Sequence, residues 1–214
     1  MLVKPKFAAV LFDLDGTLID SFQHLFHAVN YALCRQGVKP ISGKALSKLA
    51  GRPTIDKYSV LAPGADLKQL MADHAAFKNA HPELVMPYPG LAKVLEELRA
   101  KGIKLAIVTA RSRRSVNIAI DKAKLGDKVD LVLPSDEVEL PKPHPHPFLL
   151  AASKLGVKPG ECLVVGDGEA DIESGHAAGM KTCRAMYGYG AMERGGIKSD
   201  FEISSLAQLL EVVK

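Results

Sequence analysis

The chain has 214 residues, of which 47% are hydrophobic and 24% are charged, and its formal net charge is +4. These values are ordinary for a soluble globular protein of one or two domains with a substantial core. The mild positive charge suits a small anionic partner. The lack of a lysine–arginine block argues against nucleic-acid binding, and the lack of a long apolar run argues against a membrane span.

Cysteine usage and the N-terminal residues bear on the compartment. Cys34, Cys162 and Cys183 lie far apart and form no C-x-x-C pair, which is typical of reduced structural thiols. The apolar stretch before Asp13 has only six residues, fewer than a secretory signal peptide needs. We therefore expect a cytoplasmic protein, either a monomer or a homodimer.

The first predicted element is a strand over residues 7–12, which are all apolar, as in a strand buried on both faces of a parallel sheet. It runs into D-L-D-G-T at 13–17. In regular strand Asp13 and Asp15 would point the same way, and two carboxylates about 4 Å apart repel by roughly 4 kcal/mol at an effective dielectric near 20. Unless one is protonated, this pattern favours a bound cation at the strand's carboxyl end.

A lone Asp-Gly after a strand is usually only a turn. The four fixed residues of D-x-D-G-T, however, arise by chance only about once in a thousand chains of this length. Chance therefore explains this motif poorly.

The pattern becomes helical over residues 19–86. Apolar residues at helical spacing predict four helices: one from residue 22 until Gly37, one over 42–50, one from Pro53 until residue 62, and one from Asp66. Strand signals are absent from this segment. We predict an all-helical insert over 19–86, with residues 1–18 and 87–214 forming the core domain.

Beyond residue 87 helix and strand alternate. Strands are predicted at residues 103–108, 129–133, 162–165, 181–185 and 201–203. Repeated βα units of this kind predict an α/β fold with a doubly wound parallel sheet.

Three polar residues stand where this sheet would place them at one edge, and a lysine lies in a loop whose backbone is fixed by prolines. Thr109 ends the second strand, Asp167 ends the fourth, Asp171 lies in the first turn of the next helix, and Lys142 lies between two prolines. Each alone has an ordinary explanation as a cap, a strand end or a solvated lysine. If the fourth strand lies beside the first on the side away from the second, Asp167 faces Asp13. Oxygen ligands of this kind suit Mg²⁺.

Together these motifs resemble, in order and over the whole core, those of the haloacid dehalogenase-like hydrolases. The insert resembles the helical cap of the phosphoglycolate phosphatase-like branch. The resemblance implies that Asp13 is a nucleophile that becomes an aspartyl-phosphate and that Asp15 is the general acid and base. It also implies that Thr109 and Lys142 bind the phosphoryl group. By the same resemblance, Mg²⁺ is held by the following groups: Asp13, Asp167, the backbone carbonyl of Asp15, and Asp171 in support.

The chain departs from the family pattern beside Thr109. Ala110 stands where an asparagine is common, so that position offers its backbone without a side-chain donor. Three arginines then open a helix, where the macrodipole disfavours cations, and we expect them either to contact an anion or to serve solubility: Arg111, Arg113 and Arg114.

Other basic residues are weaker candidates. Lys44, Lys48 and Arg52 in the insert either touch a substrate anion, Arg52 being the one we select, or form a solvated face. His144 and His146 beside Lys142 are read as structural or exposed residues rather than catalytic ones.

The leading functional hypothesis is a Mg²⁺-dependent phosphatase for a small phosphomonoester, with 2-phosphoglycolate as the best candidate. Inorganic pyrophosphate, a sugar phosphate or a nucleotide phosphate are alternatives. A phosphosugar mutase is disfavoured because its branch tends to carry Glu-Asp where this chain has Gly166-Asp167. A catalytically silent binding protein is disfavoured because no motif carboxylate is missing.

Overall fold

The structure is a computed structural model that describes residues 5–49, 54–192 and 196–214. Its main sheet has six parallel strands in the order β5-β4-β1-β6-β7-β8, and β2 pairs with β3 in a separate antiparallel ribbon. The α/β class and the doubly wound parallel sheet are therefore confirmed. The strands are β1 (Ala9–Phe12), β2 (Ile19–Asp20), β3 (Met86–Pro87), β4 (Lys104–Val108), β5 (Leu131–Leu133), β6 (Cys162–Gly166), β7 (Lys181–Ala185) and β8 (Phe201–Ile203).

β1 occupies the centre of the sheet and is buried on both faces. Val10 and Phe12 belong to one apolar cluster and Ala9 and Leu11 to the other, because successive side chains of a strand point to opposite faces. This double burial is the reason for the unbroken apolar run in the sequence.

Nine α-helices lie within the described residues. They are α1 (Phe22–Arg35), α2 (Gly43–Ser47), α3 (Thr54–Leu61), α4 (Leu67–Ala80), α5 (Leu91–Ala100), α6 (Arg113–Ala123), α7 (His146–Leu155), α8 (Glu169–Ala177) and α9 (Leu209–Val212). Apolar residues of α5, α6 and α9 cover one face of the sheet, and those of α7 cover the other. In the three described ranges, no helix combines the length and apolarity needed to cross a bilayer.

The insert has an apolar core of its own. Residues of α1, α2, α3 and α4 form this third cluster: Val29, Ala32, Leu33, Leu46, Tyr58, Ala62 and Leu70. Asp66 begins α4 by accepting a hydrogen bond from the backbone N–H of Gln69 at 3.1 Å, as its position before the helix predicts. The division into a core and an insert over 19–86 stays a prediction, which this separate cluster supports.

Three element boundaries differ from the sequence prediction. The insert is not free of strand: β2 and β3 pair at its base, and strands of two residues are too short for periodicity to reveal. α2 ends at Ser47 rather than at residue 50, which lies outside the described residues. The sequence predicts one C-terminal helix over residues 205–213, whereas the structure has a 3₁₀ turn over Leu206–Gln208 followed by α9, because tight 3₁₀ turns are common at helix ends.

Candidate active site

The sheet order brings the predicted site residues to one edge. β1 lies between β4 and β6, so the strand order on which the hypothesis depends is observed. Asp13 follows β1, Thr109 follows β4, Asp167 follows β6, and Asp171 lies in the first turn of α8. All four are buried, with exposed fractions of 8%, 4%, 3% and 4%. They lie at the carboxyl ends of parallel strands, where open α/β sheets bind ligands.

Lys142 reaches this edge from the loop before α7. Its Nζ lies 2.6 Å from Oδ1 of Asp13 and 2.7 Å from Oδ1 of Asp171, and it donates to the carbonyl of Val108 at 3.1 Å. Burial would lower the pKa of this lysine, but the two carboxylates raise it above its usual value. The site therefore holds a fixed ammonium group between two carboxylates.

Three carboxylates form a cluster that fits a divalent cation. Oxygens of Asp13, Asp167 and Asp171 lie within 4.8 Å of one another. Burial is the main cause that raises the pKa of Asp13 to about 7, and burial with the charges of Asp13 and Asp171 raises the pKa of Asp167 well above its usual range. The raised pKa values mean that the ionised carboxylates are destabilised, and a bound cation would stabilise them. An all-oxygen donor set suits Mg²⁺ or a similar hard ion.

Glycines enclose the Asp167 side chain. Gly16 has a φ of 87°, and a Cβ on Gly16 or Gly188 would overlap Asp167, while one on Gly190 would lie 2.8 Å from its Oδ2. The N–H of Gly190 donates to Oδ2 at 2.7 Å, and Thr17 Oγ1 donates to Oδ1 at 3.4 Å. The glycine-rich loop after β7 thus holds this carboxylate in one orientation.

Asp15 faces a different cation from Asp13. β1 ends at Phe12, so the regular alternation that would point both side chains the same way does not extend to Asp15. Arg111 donates Nε to Oδ2 at 2.7 Å and Nη2 to Oδ1 at 2.5 Å, and Ser21 Oγ also donates to Oδ1. Burial alone would raise the pKa of Asp15, but the guanidinium outweighs it and holds that pKa well below its usual range.

The three arginines after Thr109 separate in the structure. Arg111 is 8% exposed and pairs with Asp15, Arg113 donates Nε to Glu137 at 2.7 Å on the surface, and Arg114 is exposed. Only Arg111 reaches the site, so the anion-contact interpretation concerns that residue alone. Ala110 is exposed next to it, and the Thr109 hydroxyl accepts the N–H of Arg111 at 3.2 Å.

Tyr189 is a site residue that the sequence prediction missed. Its hydroxyl lies 3.2 Å from Ser21 Oγ, which itself bonds Asp15, and its ring lies 5.6 Å from that of Phe22. The tyrosine therefore joins the glycine-rich loop to the start of α1. The local signal for it is a bulky residue between Gly188 and Gly190, two glycines that the structure places against Asp167.

The insert contributes His24 and Lys78, which the sequence prediction also missed. The Nε2 of His24 lies 3.0 Å from the carbonyl oxygen of Lys78. Both residues line a small cavity with Arg111 and Ser115. Burial and the nearby Arg111 lower the pKa of Lys78 to about 8.

The remaining basic candidates do not meet at the cluster. Lys44 and Lys48 are exposed, and Arg52 lies outside the described residues. His144 is exposed, and His146 accepts the N–H of Leu140 through Nδ1 at 3.5 Å within their own loop. These positions agree with the interpretation of His144 and His146 as structural or exposed residues.

Comparison with known proteins agrees with this geometry. The family model described as haloacid dehalogenase-like hydrolase matches residues 10–185. Pyrophosphatase PpaX of Bacillus cereus (strain AH820) is 35% identical over 97% of each chain, and PpaX of Bacillus velezensis is 31% identical over 97% of this chain and 96% of that one. The crystal structure of a protein from Haemophilus somnus 129PT, described as a predicted phosphoglycolate phosphatase, matches with a TM-score of 0.88 and 25% identity, over 97% of this chain and 98% of that one. The chain therefore belongs to the haloacid dehalogenase-like hydrolases.

Proposed function

We propose that this protein is a divalent-metal-dependent phosphatase that cleaves a small phosphate compound through an aspartyl-phosphate on Asp13. The observation that carries the proposal is the meeting of Asp13, Asp167, Asp171 and Lys142 at one buried edge of the sheet. Acidic residues with a fixed ammonium are what transfer of a phosphoryl group requires, because negative charge must be both positioned and neutralised.

Asp13 is the proposed nucleophile. Lys142 engages its Oδ1, and we assign the attack on phosphorus to Oδ2, to which no side chain donates within residues 5–49, 54–192 and 196–214. The new oxygen–phosphorus bond forms as the bond to the leaving oxygen breaks. Water then attacks the phosphorus and releases phosphate and the Asp13 carboxylate. Splitting the displacement into two steps lowers each barrier.

Lys142 and Thr109 are the proposed phosphoryl ligands. Lys142 neutralises charge on the transferring group, while Thr109 presents its hydroxyl and its neighbouring backbone at the end of β4. Ala110 contributes only its backbone in this assignment. Arg52 stays a prediction.

Asp15 is the proposed acid for the leaving oxygen and base for the attacking water. The base step suits the carboxylate as Arg111 holds it. The acid step requires a proton on Asp15. Because the Arg111 guanidinium disfavours protonation of this carboxylate, the hydrogen bonds between Arg111 and Asp15 must weaken in that step. A leaving group that needs little protonation, such as phosphate, places the smallest demand on Asp15.

Asp13, Asp167, Asp171 and the backbone carbonyl of Asp15 are the groups we assign to the metal. When bound, Mg²⁺ would supply charge neutralisation for the transferring phosphoryl group. Asp167 is already oriented by Gly190 and Thr17, which is the support a metal ligand needs.

Inorganic pyrophosphate and 2-phosphoglycolate are the two proposed substrates. The relatives named pyrophosphatase are the more similar in sequence, at 35% identity against 25% for the structural relative described as a phosphoglycolate phosphatase. We therefore place pyrophosphate first and 2-phosphoglycolate second.

The deciding experiment is phosphate release from pyrophosphate, 2-phosphoglycolate, sugar and nucleotide phosphates and phenyl phosphate, with Mg²⁺ and with EDTA. We expect one substrate to reach kcat/KM of about 10⁴ M⁻¹s⁻¹ or more, and we expect EDTA and Asp13→Asn to abolish it. Asp127→Asn, which changes an exposed carboxylate, is the matched control. Isomerisation of a hexose 1-phosphate would instead reveal a mutase, and silence toward every compound would favour a binding protein.

A further inference from the structure

A small cavity lies beside Arg111, where residues of the insert meet residues of the core. Its polar lining comes from α1, α4, α6 and the segment just before α6: His24, Lys78, Asn79, Arg111 and Ser115. Arg111 is the shared wall, because Nε and Nη2 bond Asp15 while Nη1 lies 3.4 Å from Ser115 Oγ. A group bound in this cavity would therefore contact the same guanidinium that pairs with Asp15.

His24 presents an unsatisfied acceptor at this cavity. It is 2% exposed, and its Nε2 lies 3.0 Å from the Lys78 carbonyl oxygen. A carbonyl can only accept, so Nε2 carries the proton and Nδ1 is a bare acceptor in the neutral ring. Within the described ranges Nδ1 has no hydrogen-bond partner, although buried polar atoms nearly always have one. The histidine thus calls for a ligand that brings an O–H or N–H donor.

Lys78 presents an uncompensated charge at the same place. In the part of the chain that the structure describes, no carboxylate lies within ion-pair distance of its ammonium group, and no hydrogen bond to it is formed. Its charge helps to lower the pKa of Asp15, and the charge of Arg111 helps to lower the pKa of Lys78 itself. Arg111 adds a second cationic group, of which Asp15 engages one edge only. Two cations beside a buried acceptor match an anion that also carries a proton.

We propose that this cavity is a second anion subsite and that it takes the hydrogen-phosphate end of a pyrophosphate-type substrate whose other phosphoryl group lies at Asp13. This inference rests on the proposed phosphatase function. The oxyanions pair with Lys78 and Arg111, and the P–OH donates to Nδ1 of His24. At neutral pH free pyrophosphate keeps a proton, so it offers both features. The carboxylate of 2-phosphoglycolate offers the charge but no donor.

The cavity is small, so a bound anion must displace one of the side chains that line it. Lys78 is the wall best able to move, since its long side chain is free of ion pairs in the described residues and lies on the insert rather than on the sheet.

The test compares three substrates and three variants of the full-length protein with Mg²⁺. His24→Gln keeps a donor for the Lys78 carbonyl and removes the Nδ1 acceptor, Lys78→Met removes the charge, and Lys68→Met changes an exposed lysine of the same helix as the control. We expect Lys78→Met to lower kcat/KM for pyrophosphate and 2-phosphoglycolate by at least about tenfold more than for phenyl phosphate. We expect His24→Gln to lower kcat/KM for pyrophosphate by at least about fivefold more than for 2-phosphoglycolate.

Equal losses on all three substrates would overturn the subsite while leaving the phosphatase function standing. If the wild-type protein cleaves none of the three, both proposed substrates fail, and binding alone decides the subsite. In that case calorimetry with methylenediphosphonate, an uncleavable pyrophosphate analogue, is expected to show weaker binding for Lys78→Met than for Lys68→Met. Equal affinity of these two variants would refute the subsite.

Discussion

At the scale of single residues, the candidate site balances its charges in pairs. Lys142 lies between Asp13 and Asp171, and Arg111 holds both oxygens of Asp15. Breaking a buried pair by removing one partner is costly because the other charge is left uncompensated. The stability of the site therefore depends on cations that the protein itself supplies as well as on any metal.

Lys142→Met tests this balance. We expect the free energy of unfolding without metal to fall by roughly 3–5 kcal/mol, because Asp13 and Asp171 lose their shared ammonium. Mg²⁺ should recover part of the loss by supplying charge to the same carboxylates. Urea unfolding with and without Mg²⁺ measures both effects, and Lys101→Met, at an exposed position, is the control. A loss below about 1 kcal/mol would contradict the assigned burial of the pair.

Tyr189→Phe tests the contact between the glycine-rich loop and Ser21, which bonds Asp15, the proposed acid–base residue. The substitution removes the hydroxyl 3.2 Å from Ser21 Oγ, which orients one oxygen of Asp15. We expect kcat to fall by about three- to tenfold with little change in KM, since about 1 kcal/mol of hydrogen bonding is lost near the reacting group. Steady-state kinetics measures this, and a rise in KM alone would argue for a role in substrate binding instead.

At the scale of elements, the insert has a polar interior. His74 is 6% exposed and accepts or donates a hydrogen bond with Tyr58 at 2.9 Å. Burial is the main cause that lowers the pKa of His74 to about 3 and that of His24 to about 4, and Lys78 adds to both. The folded insert therefore keeps both rings neutral at pH values where the unfolded chain protonates them.

This difference predicts an acid-sensitive insert. Below the unfolded pKa of about 6.5, these histidines bind protons in the unfolded state but not in the folded state. The free energy of unfolding is therefore highest above about pH 7 and falls as the pH is lowered. At pH 5 the free energy of unfolding is lower by roughly 2 kcal/mol for each histidine. His74→Asn keeps an acceptor near the Nδ1 position for Tyr58 but does not titrate, and we expect urea unfolding between pH 7 and pH 5 to show a shallower slope. An unchanged slope would mean that His74 is protonated in the folded state.

At the scale of the whole molecule, the acidic cluster brings distant segments together. Asp13 follows β1, whereas Asp167 and Asp171 come from β6 and α8, and Lys142 comes from the loop before α7. A cation that binds only the folded arrangement stabilises the whole core by mass action.

Divalent metal is therefore expected to raise the melting temperature. At a metal concentration 100 times Kd, the free energy of unfolding rises by about 2.7 kcal/mol. This corresponds to a rise in melting temperature of roughly 5–10 °C for a chain of this size. Asp171→Asn should remove most of this shift, and Asp127→Asn should retain it because that residue is exposed. Calorimetry with Mg²⁺ and with EDTA measures the shift, and an equal shift in both variants would place the ion elsewhere.

The sequence by itself determined the sheet and the positions of Asp13, Thr109 and Asp167 at the ends of its strands. This is so because strand burial leaves a local apolar pattern, and parallel strands bring their carboxyl ends to one edge. Their catalytic roles stay a proposal that the resemblance first suggested.

Only the tertiary structure decided the contacts between side chains from separate elements. Arg111 and Asp15 are 96 residues apart in the chain, and Tyr189 and Ser21 are 168 apart. The cavity beside Lys78 likewise exists only where the insert meets α6. Periodicity reports which face of an element is buried, but it carries no information about which polar partner a distant segment places against that face, because those pairings depend on how the whole chain packs.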